Sequence, residues 1–502
     1  MNWFGLREFL RRIARDTRGN SLILMGAALL PLMVAIGSGV DIARAYMVRT
    51  KLQQSVDAAA LAGRRAMTGD NIETAKPDAS AYLAFNFPNG LYGTTPVTSS
   101  ITRPDVGEVK VDAQTSIPTV IMRIFGYEKI DVAVTGVAVQ TFKNVDIMLV
   151  LDTTGSMDST LNGVRKIEAL KSAVRTLYQQ LAPAQEMLKK KGLRMRFGIV
   201  PYAATTNVGK LLYAKNPSYI RTSSVPYYHN KWTGFWIFGS WSFGQQKYNL
   251  ASFAAGSDIG DINGDGSNDG KWAGCIEERK TDPGIVANDP RDAAPSTALD
   301  LDIDRIPNSS DDTKYAPYIY DPKNGSINTA CPAEATELTE MTSADLEVLL
   351  AELKPSGNTY HDLGMIWGTR MISNGGIWGL SNPDTYKQIG VQRYLIYMTD
   401  GLMQTDRDSY SSYGLEVYDK RVGATSDGDN NGRHTKRFLM ACNAAKAKSI
   451  SIWTIAFGTG RVDSLDKCAS SVDQSSIADS SDDLIQRFAT IGKSIGALRI
   501  AQ

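Results

Sequence analysis

The sequence predicts an α/β protein: a doubly wound, mostly parallel sheet flanked by helices, interrupted by long insertions and carried behind one N-terminal transmembrane helix and a small α+β stalk. Three observations predict it. From Asn144 onward, short apolar, β-branched runs alternate with helical patterns, as strands buried on both faces of a parallel sheet do. Ser21 to Val40 carries no charge and matches the roughly 20 residues that span a bilayer; no other run in the chain does so. Between Pro77 and Thr141 the apolar period falls to two, the mark of half-buried strands.

Composition excludes several function classes. With 54 Lys+Arg against 53 Asp+Glu, the net charge of +1 gives no argument for nucleic acid. Three histidines in 502 residues argue against a histidine-built zinc or general-base site. The four cysteines, Cys275, Cys331, Cys442 and Cys468, lie in the second half without C-x-x-C spacing. Beyond a membrane segment an even count predicts two disulfides. Spacing allows three connectivities, of which we expect Cys275 with Cys331 and Cys442 with Cys468.

Residues 1–20 hold Arg7, Arg11, Arg12, Arg15 and Arg18 against Glu8 and Asp16, so the positive-inside rule leaves them cytoplasmic and sends the chain after Asp41 across the membrane. A secretory signal peptide is the competing reading, but the apolar run is longer than an h-region and no small-x-small cleavage site stands out. Residues 41–67 are Ala-rich and proline-free and continue the helix. Arg18-Gly19-Asn-Ser, Pro31, Gly39-Val-Asp41, Leu52-Gln53 and Asp57-Ala-Ala-Ala-Leu-Ala62 together resemble the N-terminal module of TadE/TadG-like proteins of tight-adherence (Flp) pilus assembly. The resemblance implies a Glu five residues after the processed glycine in pseudopilins of this group. Leu24 stands there, so the expectation is a TadG-like protein that keeps its anchor.

Residues 68–143 read as the stalk, with strands at Glu108–Ala113 and Lys129–Val139 around a short segment near Ile121 to Phe125. The head, 144–502, begins with the strand Val145–Leu151. Further strands are expected at Arg194–Pro201, Arg393–Thr399 and Ile450–Phe457. Helices are expected over Asn162–Leu181, Ser343–Leu353, after Thr359, over Lys436–Lys448 and from about Asp482 to Ile495. Insertions at about 203–340 and 402–433 interrupt this core.

The chemistry gathers at strand ends. Asp152, Thr154 and Ser156 follow the first strand. Thr359 closes the loop Pro355-Ser-Gly-Asn-Thr, and Asp400 follows a later strand. Few carboxylates with several hydroxyls suit a hard divalent cation that retains water. The pattern resembles the metal-ion-dependent adhesion site of von Willebrand factor A domains, with Thr154 where that family's first motif has Ser. The resemblance implies Mg2+ or Mn2+ on Asp152, Thr154, Ser156, Thr359 and Asp400, with a partner's acidic side chain completing the shell. Hydrolysis would need a base beside the metal, and the nearest histidine, His361, is expected to start a helix and pack.

A second candidate, for Ca2+, is Asp261-Ile-Asn263-Gly-Asp265-Gly-Ser-Asn-Asp269, whose oxygens follow the opening of an EF-hand loop. Trp272 replaces the closing Glu, leaving Glu277 or Glu278 to complete the shell; the alternative is a plain turn cluster. Asp427, Asp429 and Asn431 repeat the rhythm more weakly, and the aromatic run Tyr227 to Trp241 is expected to form the insertion's own core, with an exposed contact surface as the alternative. The functional expectation is a non-enzymatic inner-membrane pilus assembly component with a periplasmic head. Its partners are pilus or secretion-machinery proteins, an oligomer is left open, and an adhesin is the alternative.

Overall fold

The computed structural model describes residues 20–67, 71–105, 107–139, 142–235, 238–264, 266–319 and 330–497. The basic segment ahead of the apolar run lies outside them. The chain divides at Thr141/Phe142 into two compact units.

In the first unit, helix α1 (Asn20–Ala66) is one continuous element. Its Met25–Ala66 portion is long and apolar enough to cross a membrane. It is followed by α2 (Lys76–Asn86) and an antiparallel sheet of β1 (Thr98–Thr102), β2 (Glu108–Pro118) and β3 (Lys129–Val139), in that order. Alternate residues of β2 and β3, among them Val109, Val111, Val132 and Val134, turn to one face and bury Val48, Leu52, Val56, Ala59 and Ala60 of α1. The expected helix and the expected stalk thus share one core. Asp41, 1% exposed, locks the junction: Oδ1 accepts from Val120 N at 2.8 Å, and Oδ2 accepts from Ile121 N at 2.9 Å and Met122 N at 2.8 Å.

The second unit runs β4 (Asn144–Asp152), α3 (Lys166–Lys190), β5 (Met195–Tyr202) and the hairpin β6 (Val225–Phe235) and β7 (Phe238–Tyr248). Then come β8 (Thr336–Thr339), α4 (Ser343–Glu352), α5 (His361–Ile372), β9 (Ile389–Thr399) and α6 (Asp427–Ala447). It closes with β10 (Ile450–Phe457), α7 (Asp463–Cys468), β11 (Ser475–Ala478) and α8 (Ser481–Ala497). The sheet order is β8-β5-β4-β9-β10-β11, parallel except for the edge strand β8, with the short Thr385–Tyr386 strand pairing antiparallel to the start of β9.

Helices cover both faces. Val145, Ile147, Leu149 and Leu151 of β4 meet α3, α4 and α8, while Met148 and Val150 meet α5 and α6. That alternation explains why every residue of β4 is buried and why the strand reads as a continuous apolar run.

Two helix boundaries differ from expectation. α3 starts at Lys166 rather than Asn162 because Thr160–Leu161 pairs with Val164–Arg165 around an Asn162-Gly163 turn, both residues at positive φ. α6 starts at Asp427 rather than Lys436, capped by Ser426, whose side chain accepts from Asp429 N. Asp427, Asp429 and Asn431 are therefore its first turns, not a cation loop. The edge strands β8 and β11, along with β1 and α2, had no distinct pattern to announce them. The aromatic run is a ribbon rather than a core segment: Tyr227 at its root is buried, whereas Thr233, Gly234, Gly239 and Ser240 are exposed.

The large insertion joins the core on the α5/α6 side. Cys275–Cys331 and Cys442–Cys468 are bonded as expected, the first closing the insertion and the second tying α6 to α7. Buried ion pairs add to this. Glu278 takes Arg370 Nη1 at 2.9 Å and the Trp367 indole N–H, while Asp300 takes the Tyr413 hydroxyl at 3.1 Å with Arg437 3.8 Å away. Glu277 takes Arg421 Nη1 at 2.9 Å and the Tyr410 hydroxyl. Burial pushes the Glu277 carboxyl from an ordinary 4.5 to about 7, the Asp419 charge adding to it and Arg421 and Tyr410 opposing.

Between those two values the folded chain holds a proton that the unfolded chain has released, so this group's contribution to stability falls as pH rises through the window. We expect Glu277→Gln to flatten the loss of stability between pH 5 and pH 8 by on the order of 3 kcal/mol, read by denaturant unfolding at each pH. In the first unit, Asp41→Ala strands three backbone donors. It is expected to cost about 1–2 kcal/mol, seen as a lowered melting temperature of the sheet-bearing unit.

Candidate metal centre

The carboxyl edge of the sheet brings three loops together. Parallel register sets Met398 of β9 beside Leu151 of β4, so the next residues, Thr399-Asp400 and Asp152, leave the sheet side by side. Thr399 Oγ1 donates to Asp152 Oδ2 at 2.7 Å. The loop carrying Thr359 is tied to the first by Ser356 N to Thr153 O at 2.8 Å and Gly155 N to Gly357 O at 2.9 Å. Gly357 holds φ +78 there, and a Cβ would come within 2.5 Å of Ala330 Cβ.

Four of the five predicted side chains form one unbroken chain of oxygens. Thr154 Oγ1 donates to Asp152 Oδ1 at 2.6 Å, Thr154 and Ser156 hydroxyls are 3.0 Å apart, and Ser156 Oγ donates to Asp400 Oδ1 at 2.6 Å. Thr359 is placed by its backbone, which bridges to Gln404 in both directions at 2.9 and 3.0 Å, and it is buried. Asp152, Thr154 and Asp400 are buried as well.

Three further residues belong to the site. Lys166, the first residue of α3, sets its Nζ 2.8 Å from Asp400 Oδ2. Thr399 and Tyr202 donate to Asp152 Oδ2 from beneath, the tyrosine at 3.3 Å. Thr399 could have been read from its position beside Asp400. Lys166 could not, since nothing in a helix's first residue says which carboxylate it will meet.

Burial is the largest influence on the Asp152 carboxyl, and the facing Asp400 charge is the second; both push it up, against the hydrogen bonds from Thr154 and Thr399. Two acids crowded behind hydroxyls, with one ammonium to balance them, fit a hard cation: it would replace hydrogens in this chain with a charge that both carboxylates attract. His361 lies beneath the site rather than in it. Its Nε2 is 3.0 Å from Thr399 Oγ1, its ring meets Tyr397 and Phe438, and burial holds its pKa down to about 4.

Residues 19–68 match the family model described as putative Flp pilus-assembly TadE/G-like. The N-terminal module is TadE/G-like. No curated protein matches the chain. Among solved structures, it is similar to the pilus adhesin SpaC of Lactobacillus rhamnosus GG at 12% identity and TM-score 0.34, covering 80% of this chain but only 34% of that one. It is also similar to the vWF domain of the type V pili tip protein Mfa5 of Porphyromonas gingivalis, at 10% identity and TM-score 0.33, covering 71% of this chain and 96% of that one. At these scores the likenesses carry no functional argument. The TadE/G-like module holds none of the candidate ligands, which all lie in the second unit.

The second predicted site is a tight loop whose carboxylates accept from its own backbone. Asp261 spends its carboxylate on its own loop, accepting from Gly264 N at 2.6 Å and Gly266 N at 2.9 Å; Asp269 accepts from Ile262 N at 3.0 Å. Asn263 is buried and Asp265 lies outside the described residues. Glu277 and Glu278, expected to close a calcium shell, are instead committed to Arg421 and Arg370, because an unpaired carboxylate at their depth would be costly. Trp272, at the closing position, is buried and donates to Cys275 O at 2.7 Å.

Thr399→Val would leave buried Asp152 Oδ2 without its shortest donor. We expect a loss of about 1–3 kcal/mol in the stability of the metal-free protein, largely restored in Thr399→Ser, measured by chemical unfolding in EDTA.

Proposed function

We propose that the second unit is a von Willebrand A-type head that binds Mg2+ or Mn2+ through Asp152, Thr154, Ser156, Thr359 and Asp400 and grips a carboxylate of a partner protein. The observation that carries this is the row of closely spaced oxygens running from Asp152 through the Thr154 and Ser156 hydroxyls to Asp400 across two loops of the sheet edge, with the loop of Thr359 tied to them. With two carboxylates and otherwise hydroxyls as ligands, the cation keeps enough positive charge to hold a partner's acid. Lys166, neutralising part of Asp400, adds to that positive balance.

Binding fits this arrangement better than hydrolysis. The nearest histidine is buried under Thr399, and no other imidazole lies on the three loops. The TadE/G-like module supports placing the protein in tight-adherence pilus assembly. The arginines ahead of α1 support a cytoplasmic N-terminus, an inner-membrane anchor and a periplasmic head, an oxidising place where both disulfides persist. Partners are then pilus or secretion-machinery proteins presenting an acidic side chain.

Isothermal titration of the detergent-solubilised full chain with Mg2+ and with Mn2+ is expected to give one site, abolished in Asp152→Ala and in Asp400→Ala. An absence of heat in the unsubstituted protein, or heat unchanged by Asp152→Ala, would refute the reading.

A further inference from the structure

We infer that the turn Val120–Tyr127 is an interfacial membrane anchor, lying in the boundary between headgroups and acyl chains of the bilayer that α1 crosses. The inference rests on reading Ser21–Val40 of α1 as the membrane span. At 1.5 Å per residue that stretch measures about 30 Å, the thickness of a hydrocarbon core, which puts Val40 at its edge and Gly37 about 4.5 Å inside.

The turn is fixed at this depth by two independent contacts. Ile121 packs directly on the helix backbone at Gly37, where an added Cβ would stand 2.2 Å from Ile121 Cγ2. One turn further along, Asp41 takes the backbone N–H groups of Val120, Ile121 and Met122. Arg44 Nη1 reaches Pro118 O at 3.4 Å from the next turn of the helix.

Apart from Arg123 and Gly126, what the turn shows to its surroundings is apolar or aromatic. Val120, Ile124, Phe125 and Tyr127 are 51%, 75%, 40% and 63% exposed. In water such a cluster within eight residues is a liability. Beside a membrane helix whose own Met33, Ile36 and Val40 are exposed on either side of Gly37, it continues one apolar surface. The polar-tipped residues of the segment suit that depth as well: Tyr127 is of the type that collects at membrane interfaces, and Arg123, also exposed, can extend its guanidinium to lipid phosphates. Asp41 is spared from facing lipid because the turn covers it, so a carboxylate at the edge of the hydrocarbon keeps all its donors. Continuity with the span is what selects lipid as the occupant over a protein.

The test uses the full chain in phosphatidylcholine/phosphatidylglycerol nanodiscs. All four native cysteines are disulfide-bonded, so an introduced cysteine can be labelled alone. Ile124→Cys carries an NBD label, with Leu32→Cys in mid-span and Val472→Cys on the exposed surface of the second unit as references. Quenching is read from shallow and deep doxyl lipids and from aqueous iodide. The expected result is that shallow doxyl lipid quenches the Ile124 label about threefold or more over the Val472 label while iodide quenches it less. Iodide quenching without lipid quenching would put the turn in water, and quenching by neither would put it under a protein or a second copy of this chain; either overturns the inference. The Leu32 label reports separately on the span: if deep doxyl lipid fails to reach it, that reading fails, while the Ile124 result still decides the turn.

Discussion

Two acids that cannot comfortably share a buried edge organise the second unit. Asp152 and Asp400 leave adjacent parallel strands at the same level, and the sheet's register gives neither a way to retreat into solvent. Their repulsion is met by donors from every direction: Thr154 and Ser156 between them, Thr399 and Tyr202 below Asp152, Lys166 beside Asp400. A site so built gives each oxygen of both carboxylates a donor and sets one ammonium against two acids. On the proposed reading, a cation would then be a reversible ligand rather than a requirement for folding.

The insertions follow the same electrostatic logic at greater depth. Glu277, Glu278 and Asp300 are carried into the core by chain that enters and leaves the sheet region, and each finds a cation or phenol on a different element. Such pairs contribute little net stability against an apolar alternative, but breaking one is costly, so they specify a single docking of the insertion onto α5 and α6. Long loops become part of the body of the unit, and the helix that bears His361 is tied to the insertion through Arg370 and Glu278.

Legibility tracked how local the signal was. The strands β4, β9 and β10 were plain because burial on both faces, throughout β4, over the last seven residues of β9 and at the end of β10, calls for mostly apolar residues. The motif residues were plain for the same reason: strand ends are where such runs stop. What escaped was non-local. The edge strand β8 depends on β5 for its pairing, and α6 begins nine residues early because its cap, Ser426, lies inside a stretch polar enough to read as loop. The Asp261 loop shows where local signals are ambiguous: Asx turns and calcium loops draw on the same residues, and in both the leading carboxylate accepts from backbone N–H groups such as those of Gly264 and Gly266.

The match to the TadE/G-like family ends at residue 68, yet the residues that carry it make sense only against chain that follows. Asp41 binds the backbone of 120–122. Gln53 donates to Thr135 O at 2.8 Å and to Asp57 Oδ1 at 2.9 Å. Asp57 and Val56 press so closely on β3 that a Cβ at Gly136 would come within 2.7 and 2.9 Å of their side chains. The run of alanines after Asp57 lets helix and sheet approach, with Ala59 and Ala60 buried between them. A polar residue on an otherwise apolar helix face needs a partner, and besides the Gln53–Asp57 pair within the helix these partners are on β3 or the turn before it. The helical signature is therefore half of an interface. A sheet able to offer a close-approaching strand and a turn of free N–H groups is its physical complement, and in this chain that sheet is supplied by residues 98–139.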